Sequence, residues 1–295
     1  TKLVGGFPLP DFKSDPKIYT KGNLTIAIIT NCLLMIASEM GKSELNNGIS
    51  LVTNEHDEFV ELLFSAENLS KISAKKVITD FNEREEGLDR PFYGETLIGL
   101  KRLNIVQNLI HNAIKNKIPG DFIEAGCFRG GVGIFVFHML KILGENNRKI
   151  YLADSFQGLP KPNPKNFPKD TIFLNIPKDL GLICSIDTVK NNFRKYNALG
   201  PNVKFLKGWF SDTLPKLKNE KFFIIRVDGD YYQSTYESLE NLYPGLSLGG
   251  YAIMDDYGLN VATSAIIDFR KKYNIKEEMK FSGKIGCYWE KMREI

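Results

Sequence analysis

The run Phe222 to Val227, apolar apart from Arg226 and followed at once by Asp228-Gly229-Asp230, constrains this chain more than any other feature. Six such residues between turn signals read as a strand covered on both faces, which is the signature of a parallel sheet. A second strand, Tyr251 to Met254, ends the same way, in Asp255-Asp256-Tyr257. Neighbouring parallel strands direct their carboxyl ends alike, so these four acids are expected to lie near one another. Clustered carboxylates repel and need a cation or a raised pKa. An oxygen-only donor set points to Mg²⁺; four solvated loop acids are the alternative.

The rest of the chain from Gly94 onward alternates between helical and strand patterns. Helices are expected over Thr96–Asn116, Gly131–Leu143, Ile186–Tyr196, Tyr231–Leu246 and Val261–Tyr273. Strands are expected over Asp121–Ala125, Lys149–Ala153, Val203–Leu206, Met279–Phe281 and Cys287–Trp289, in addition to the two above. The spacing predicts an α/β fold with a doubly wound, mostly parallel sheet that binds ligands at the carboxyl ends of its strands. We place this domain at residues 86–295 and an N-terminal extension of unassigned role at 1–85. Within the extension, Gly5–Pro10 and Lys42–Asn54 read as loops, and Glu58–Leu69 and Ser73–Phe81 as short helices. An insert at about 158–185 carries four prolines from Pro160 to Pro168, a fifth at Pro177, and apolar Phe167, Phe173, Leu174 and Ile176. A segment this long is functional or disordered in a compact domain, and its apolar content favours a lid.

Composition removes several function classes. A net charge of +4 with interleaved signs gives no basic stripe of the kind nucleic acids select. The four cysteines are scattered, which argues against a zinc site or a disulfide framework and suits a reducing, cytoplasmic setting. The longest apolar run, Leu24 to Ala37, is too short to span a bilayer, and no small-residue cleavage site follows it. A buried helix or strand is expected there. The partner left is a small molecule.

Three further turns carry candidate chemistry. Glu124-Ala125-Gly126-Cys127-Phe128-Arg129-Gly130-Gly131 joins a strand to a helix, and its glycines let backbone pass close to a ligand. It lacks the full G-x-G-x-x-G pattern, so tight packing alone explains it equally well. Asp154-Ser155 follows the next strand, where a carboxylate can accept two ribose hydroxyls or merely cap a loop. Gly208-Trp209-Phe210-Ser211-Asp212 offers an aromatic pair beside polar atoms, suited either to an adenine or to a core Trp with a capping acid.

In this order and spacing, Glu95-Thr96-Leu97-Ile98-Gly99-Leu100-Lys101-Arg102-Leu103, Pro119-Gly120-Asp121, Arg129-Gly130-Gly131, Ala153 to Pro160, Gly208-Trp209-Phe210, Asp228-Gly229-Asp230 with Ser234-Thr235, and Gly249-Gly250-Tyr251 leading to Asp255-Asp256-Tyr257 resemble the macrocin-type O-methyltransferases. The resemblance covers about Gly94 to Lys291 and implies a seven-stranded class I, Rossmann-like methyltransferase sheet with a reversed last hairpin. It implies S-adenosylmethionine as methyl donor and Mg²⁺ held by Asp228, Asp255 and Asp256. Thr96, Glu124, Gly126, Arg129, Gly130, Asp154, Ser155, Gln157, Trp209, Phe210, Asp212 and Asp228 then form the cofactor site by position. Asp228 is the expected proton acceptor as well as a ligand, with Asp230 the alternative base. Cys127-Phe128 stand where the family usually has Val-Trp, Asn104 replaces an Asp, and Tyr232-Gln233 a Tyr-Glu; no proposed ligand is lost.

The implied reaction is methyl transfer to a hydroxyl of a sugar, phenol or other small metabolite. A non-catalytic cofactor binder and a nicotinamide-dependent oxidoreductase are the rivals. Intact clustered acids disfavour the first, and the incomplete glycine fingerprint the second. The extension can pair subunits, so a homo-oligomer stays open.

Overall fold

The computed structural model of the chain describes residues 3–4, 7–8, 81–88, 94–174 and 182–295. Expectations for the Leu24–Ala37 run, the 42–54 loop, the helix at 58–69, nearly all of that at 73–81, and Ile176 and Pro177 lie outside the described residues. The chain divides into two compact units, Thr1–Leu100 and Lys101–Ile295. In the first, Leu3–Val4 pairs antiparallel with Phe7–Pro8, and a short helix spans Phe81–Glu86.

The second unit is built on a single seven-stranded sheet. Helix α1 (Gly99–Lys115) runs into Pro119-Gly120, where Gly120 takes φ +110° and turns the chain into β1 (Asp121–Ala125). Then follow α2 (Gly131–Ile142), β2 (Ile150–Asp154), α3 (Ile186–Lys195), β3 (Val203–Lys207), β4 (Phe222–Val227), α4 (Tyr232–Leu242), β5 (Leu246–Met254), α5 (Asn260–Lys272), β6 (Lys280–Ser282) and β7 (Gly286–Glu290). The sheet order is β3-β2-β1-β4-β5-β7-β6. The first five strands are parallel, and β7 and β6 reverse direction as a terminal hairpin.

All six residues of β4 are buried, as a central strand with helices on both faces requires. One face packs Ile123, Ala153, Ile225, Ala252, Leu239, Phe269 and Trp289 into a continuous core. α3 begins where Ser185 caps it, its Oγ accepting from Thr188 N–H at 3.1 Å.

Two expected boundaries move, one on each side of Pro244. The helix anticipated over Tyr231–Leu246 stops at Leu242, and Tyr243–Gly245 forms a 3₁₀ turn. Pro244 cannot continue the α-helical hydrogen bonding, and Gly245 ends the turn. β5 therefore starts at Leu246 rather than Tyr251, and Gly249 (φ +78°) marks an irregularity within it.

Candidate functional site

The strand register decides what meets at the carboxyl edge of the sheet. Ala125, Val227 and Met254 lie abreast on β1, β4 and β5. Backbone pairing continues one residue beyond each strand: Asp228 N–H donates to Ala125 C=O at 2.8 Å, and Asp255 N–H to Val227 C=O at 2.9 Å. Asp228 and Asp255 are thus fixed side by side. Candidate ligand oxygens of Asp228, Asp255 and Asp256 all lie within 4.8 Å of one another. Asp230 joins from the same turn, in a left-handed conformation (φ +55°), its N–H donating to Asp256 Oδ2 at 2.9 Å.

Two buried arginines interpenetrate these acids. Arg226, 1% exposed, donates through Nη1 to Glu124 Oε1 at 2.6 Å and through Nη2 to Asp228 Oδ2 at 3.0 Å, and Nη2 lies 2.7 Å from Asp255 Oδ1. Arg102 Nη1 donates to the other oxygen of Asp255. Burial alone would raise Asp255, but Arg102 and Arg226 hold its carboxyl below the ordinary range. Burial, then Asp255, pushes Asp228 up to about 7 against the pull of Arg226. Burial, then the neighbouring Asp228, Asp230 and Asp255, pushes Asp256 well above the ordinary range against the pull of the Asp230 N–H. Burial also lifts Glu124 to about 8. Sequence reading singled out Arg226 only as an interruption and Arg102 only as part of a motif. An arginine inside a strand buried on both faces was itself the signal, since such a charge survives only among acids.

Five carboxyl groups (Glu124, Asp228, Asp230, Asp255, Asp256) therefore cluster with two guanidinium groups, and the negative excess they would carry when ionised is one a divalent cation would offset. The donors are all oxygen, as Mg²⁺ prefers.

The other predicted positions fall mainly around the ends of β1, β2 and β3. Gly126 has φ +92°, and a Cβ there would stand 1.8 Å from Asp228 O, so only glycine admits this approach. Gly130 (φ +85°) precedes α2 and supplies no side-chain cap, which leaves the first amides of the helix to face a ligand. Asp154, the last residue of β2, accepts from Cys127 N–H at 2.9 Å and Phe156 N–H at 2.8 Å. Ser155 Oγ donates to Gly158 O and accepts from Gln157 N–H, closing the turn after it. Gly208 N–H donates to Asp154 O at 3.0 Å, which joins the turn after β3 to that after β2. Trp209 there is 38% exposed, unusual for so large an apolar surface, while Phe210 and Asp212 lie in the short helix Phe210–Thr213. The Arg129 guanidinium lies 4.8 Å from the Phe128 ring. Thr96 belongs to the first unit, where its Oγ1 accepts from Ile98 N–H. Glu124 differs from the rest: 1% exposed, it meets Arg226 before anything else.

The insert has order of its own. Asp170, with no exposed surface, accepts from Tyr232 N–H at 2.7 Å and Gln233 N–H at 3.0 Å, and Phe173 stacks on Tyr231 with centroids 4.0 Å apart. Cys127, Cys184 and Cys287 are buried free thiols. Among the described residues no helix is long and apolar enough to cross a membrane.

Comparison with known proteins converges on one description. The family model for macrocin O-methyltransferase (TylF) matches residues 33–291. Mycinamicin III 3''-O-methyltransferase of Micromonospora griseorubida is 38% identical over 211 residues, covering 70% of this chain and 83% of that protein. The 8-demethyl-8-(2,3-dimethoxy-alpha-L-rhamnosyl)-tetracenomycin-C 4'-O-methyltransferase of Streptomyces olivaceus is 36% identical over 210 residues, 71% of this chain and 80% of that one. The solved structure of the O-methyltransferase NovP superposes with a TM-score of 0.72 at 35% identity, covering 80% of this chain and 98% of its own.

Proposed function

The chain belongs to the macrocin O-methyltransferase family and is an S-adenosylmethionine-dependent O-methyltransferase, and from that premise we propose that it methylates a sugar or phenol hydroxyl of a small metabolite with the help of Mg²⁺. The observation that carries the metal part is the convergence of Asp228, Asp255 and Asp256 at the ends of adjacent parallel strands. The relatives support this acceptor class, one of them being named as the 4'-O-methyltransferase of a rhamnosyl-tetracenomycin.

The donor supplies a methyl group already activated on a sulfonium, so the protein has to align three atoms and favour an anionic acceptor oxygen. Alignment alone is worth about 7–11 kcal/mol. In this reading Gly126, Arg129 and Gly130 admit the cofactor beside the first turn of α2. Asp154, held by two amides, keeps lone pairs for ribose hydroxyls, and Ser155 and Gln157 shape the turn beside it. Trp209, Phe210 and Asp212 border the adenine, and Glu124 acts through Arg226. Asp228, Asp255 and Asp256 would hold the cation, which when bound supplies Lewis-acid polarisation of the acceptor hydroxyl. Asp228 accepts the hydroxyl proton; its Oδ1 has no hydrogen-bond partner among the described residues, and its raised pKa suits a base near neutrality. Asp230 is the alternative base.

Incubation with S-adenosylmethionine and a panel of glycosylated and phenolic metabolites, read by mass spectrometry, tests this. Methylated product from wild type, reduced about 10²–10⁴-fold in Asp228→Asn, is the expected result. An unaltered rate in that variant would remove Asp228 from the chemistry.

A further inference from the structure

Resting on the metal reading above, we propose that Arg102 and Arg226 are positioning residues: a two-guanidinium clamp that pins Asp255, moderates the charge of the acid cluster, and so keeps a bound divalent cation open to its acceptor. The three acids are held very unequally. Both oxygens of Asp255 are taken, one by Arg226 Nη2 at 2.7 Å and the other by Arg102 Nη1. Asp228 gives one oxygen to Arg226, and among the described residues Asp256 pairs with neither arginine and accepts from the Asp230 N–H. Asp255 side-chain exposure is 8%, and that of Arg102 and Arg226 is 5% and 1%. A carboxylate tied at both ends cannot swing to grip a cation with two oxygens. It contributes a fixed direction and little net charge.

Mg²⁺ demands near-octahedral geometry and usually keeps several waters, bound through only one or two carboxylates. Three unrestrained acids would hold it more tightly and strip those waters. The positions they vacate are the ones an acceptor hydroxyl needs. The clamp therefore lowers affinity and preserves open coordination. A merely structural arginine behaves oppositely: its removal loosens the site and weakens metal binding.

Arg102 is the better target, because it reaches the cluster from α1 through Asp255, whereas Arg226 spans three acids from the central strand. Mg²⁺ would be titrated calorimetrically into the chelator-treated full chain, with water-proton relaxivity of bound Mn²⁺ as the second readout. Arg102→Gln should bind Mg²⁺ about tenfold more tightly, because one opposing charge is gone. Its bound Mn²⁺ should show lower relaxivity, because Asp255 displaces water. Arg102→Lys keeps the charge and should stay within about threefold of wild-type affinity. Unchanged or weaker Mg²⁺ binding in R102Q, or unchanged relaxivity, would overturn the clamp. Should R102Q not fold, a tenfold loss of affinity in R102K would overturn it too, and near-wild-type affinity supports it. A wild-type chain that binds no Mg²⁺ at all would overturn the metal reading and the clamp with it.

Discussion

Arg226 is the residue on which the centre of the molecule depends. Removing one partner of a buried ion pair strands the others, so Arg226→Met should cost about 3–5 kcal/mol in urea denaturation of the metal-free chain. A loss below 1 kcal/mol would mean that the acids do not rely on it. Protons and Mg²⁺ should also compete at this site. Asp228 sits at about 7, above its value in the unfolded chain. The folded state therefore holds a proton that the unfolded state has released between about pH 4 and 7, and this contribution to stability is lost as pH rises through 7. Mg²⁺ takes the proton's place, so its stabilising effect should grow from about pH 5.5 to 8 in thermal melts. A pH-independent effect would contradict the assignment. The acids were legible in the sequence because each follows an apolar strand. Their partners were not, since which acids surround Arg226 depends on lateral register, and the Glu124–Arg226 pairing is set by β1 and β4 lying abreast.

The elements explain how the Asp228–Asp230 turn is held. α4 begins at Tyr232, the preceding Tyr231 offers no side-chain cap, and Asp170 reaches in from the insert to accept the first two helical amides. Lys169 reinforces the contact through Asp268 at 2.6 Å. Asp170→Ala should destabilise the chain by about 1–2 kcal/mol and make Lys165 and Lys169 more accessible to trypsin. Unchanged stability and cleavage would show that the insert docks by its aromatic residues alone. Strand and helix order was readable from periodicity and punctuation, including the two last strands, whereas their reversal into a hairpin was implied only by the family resemblance. The insert's attachment was not readable: Asp170 is one acid among many in the sequence, and its partner helix lies over sixty residues on. The early start of β5 was missed because Gly249-Gly250 reads as a break, whereas in the fold it is an irregularity inside a strand.

At the scale of the second unit, a doubly wound sheet gathers the candidate turns after β1, β2 and β3 and the acids after β4 and β5 at its carboxyl edge. S-adenosylmethionine at 100 times its Kd should stabilise the folded chain by about 2.7 kcal/mol, seen as a rise of several degrees in Tm. NAD and NADP should give none; stabilisation by them instead would favour an oxidoreductase. The class of reaction was legible because short motifs recur in one order. The acceptor was not, because the insert and the N-terminal residues carry no pattern that names it. The central claim, that the acids work as a divalent-metal site for methyl transfer, is tested most directly by chelation. Methyl transfer to the responsive acceptor should vanish in EDTA and return with Mg²⁺ in wild type but not in Asp256→Asn. A full rate in EDTA would contradict the account.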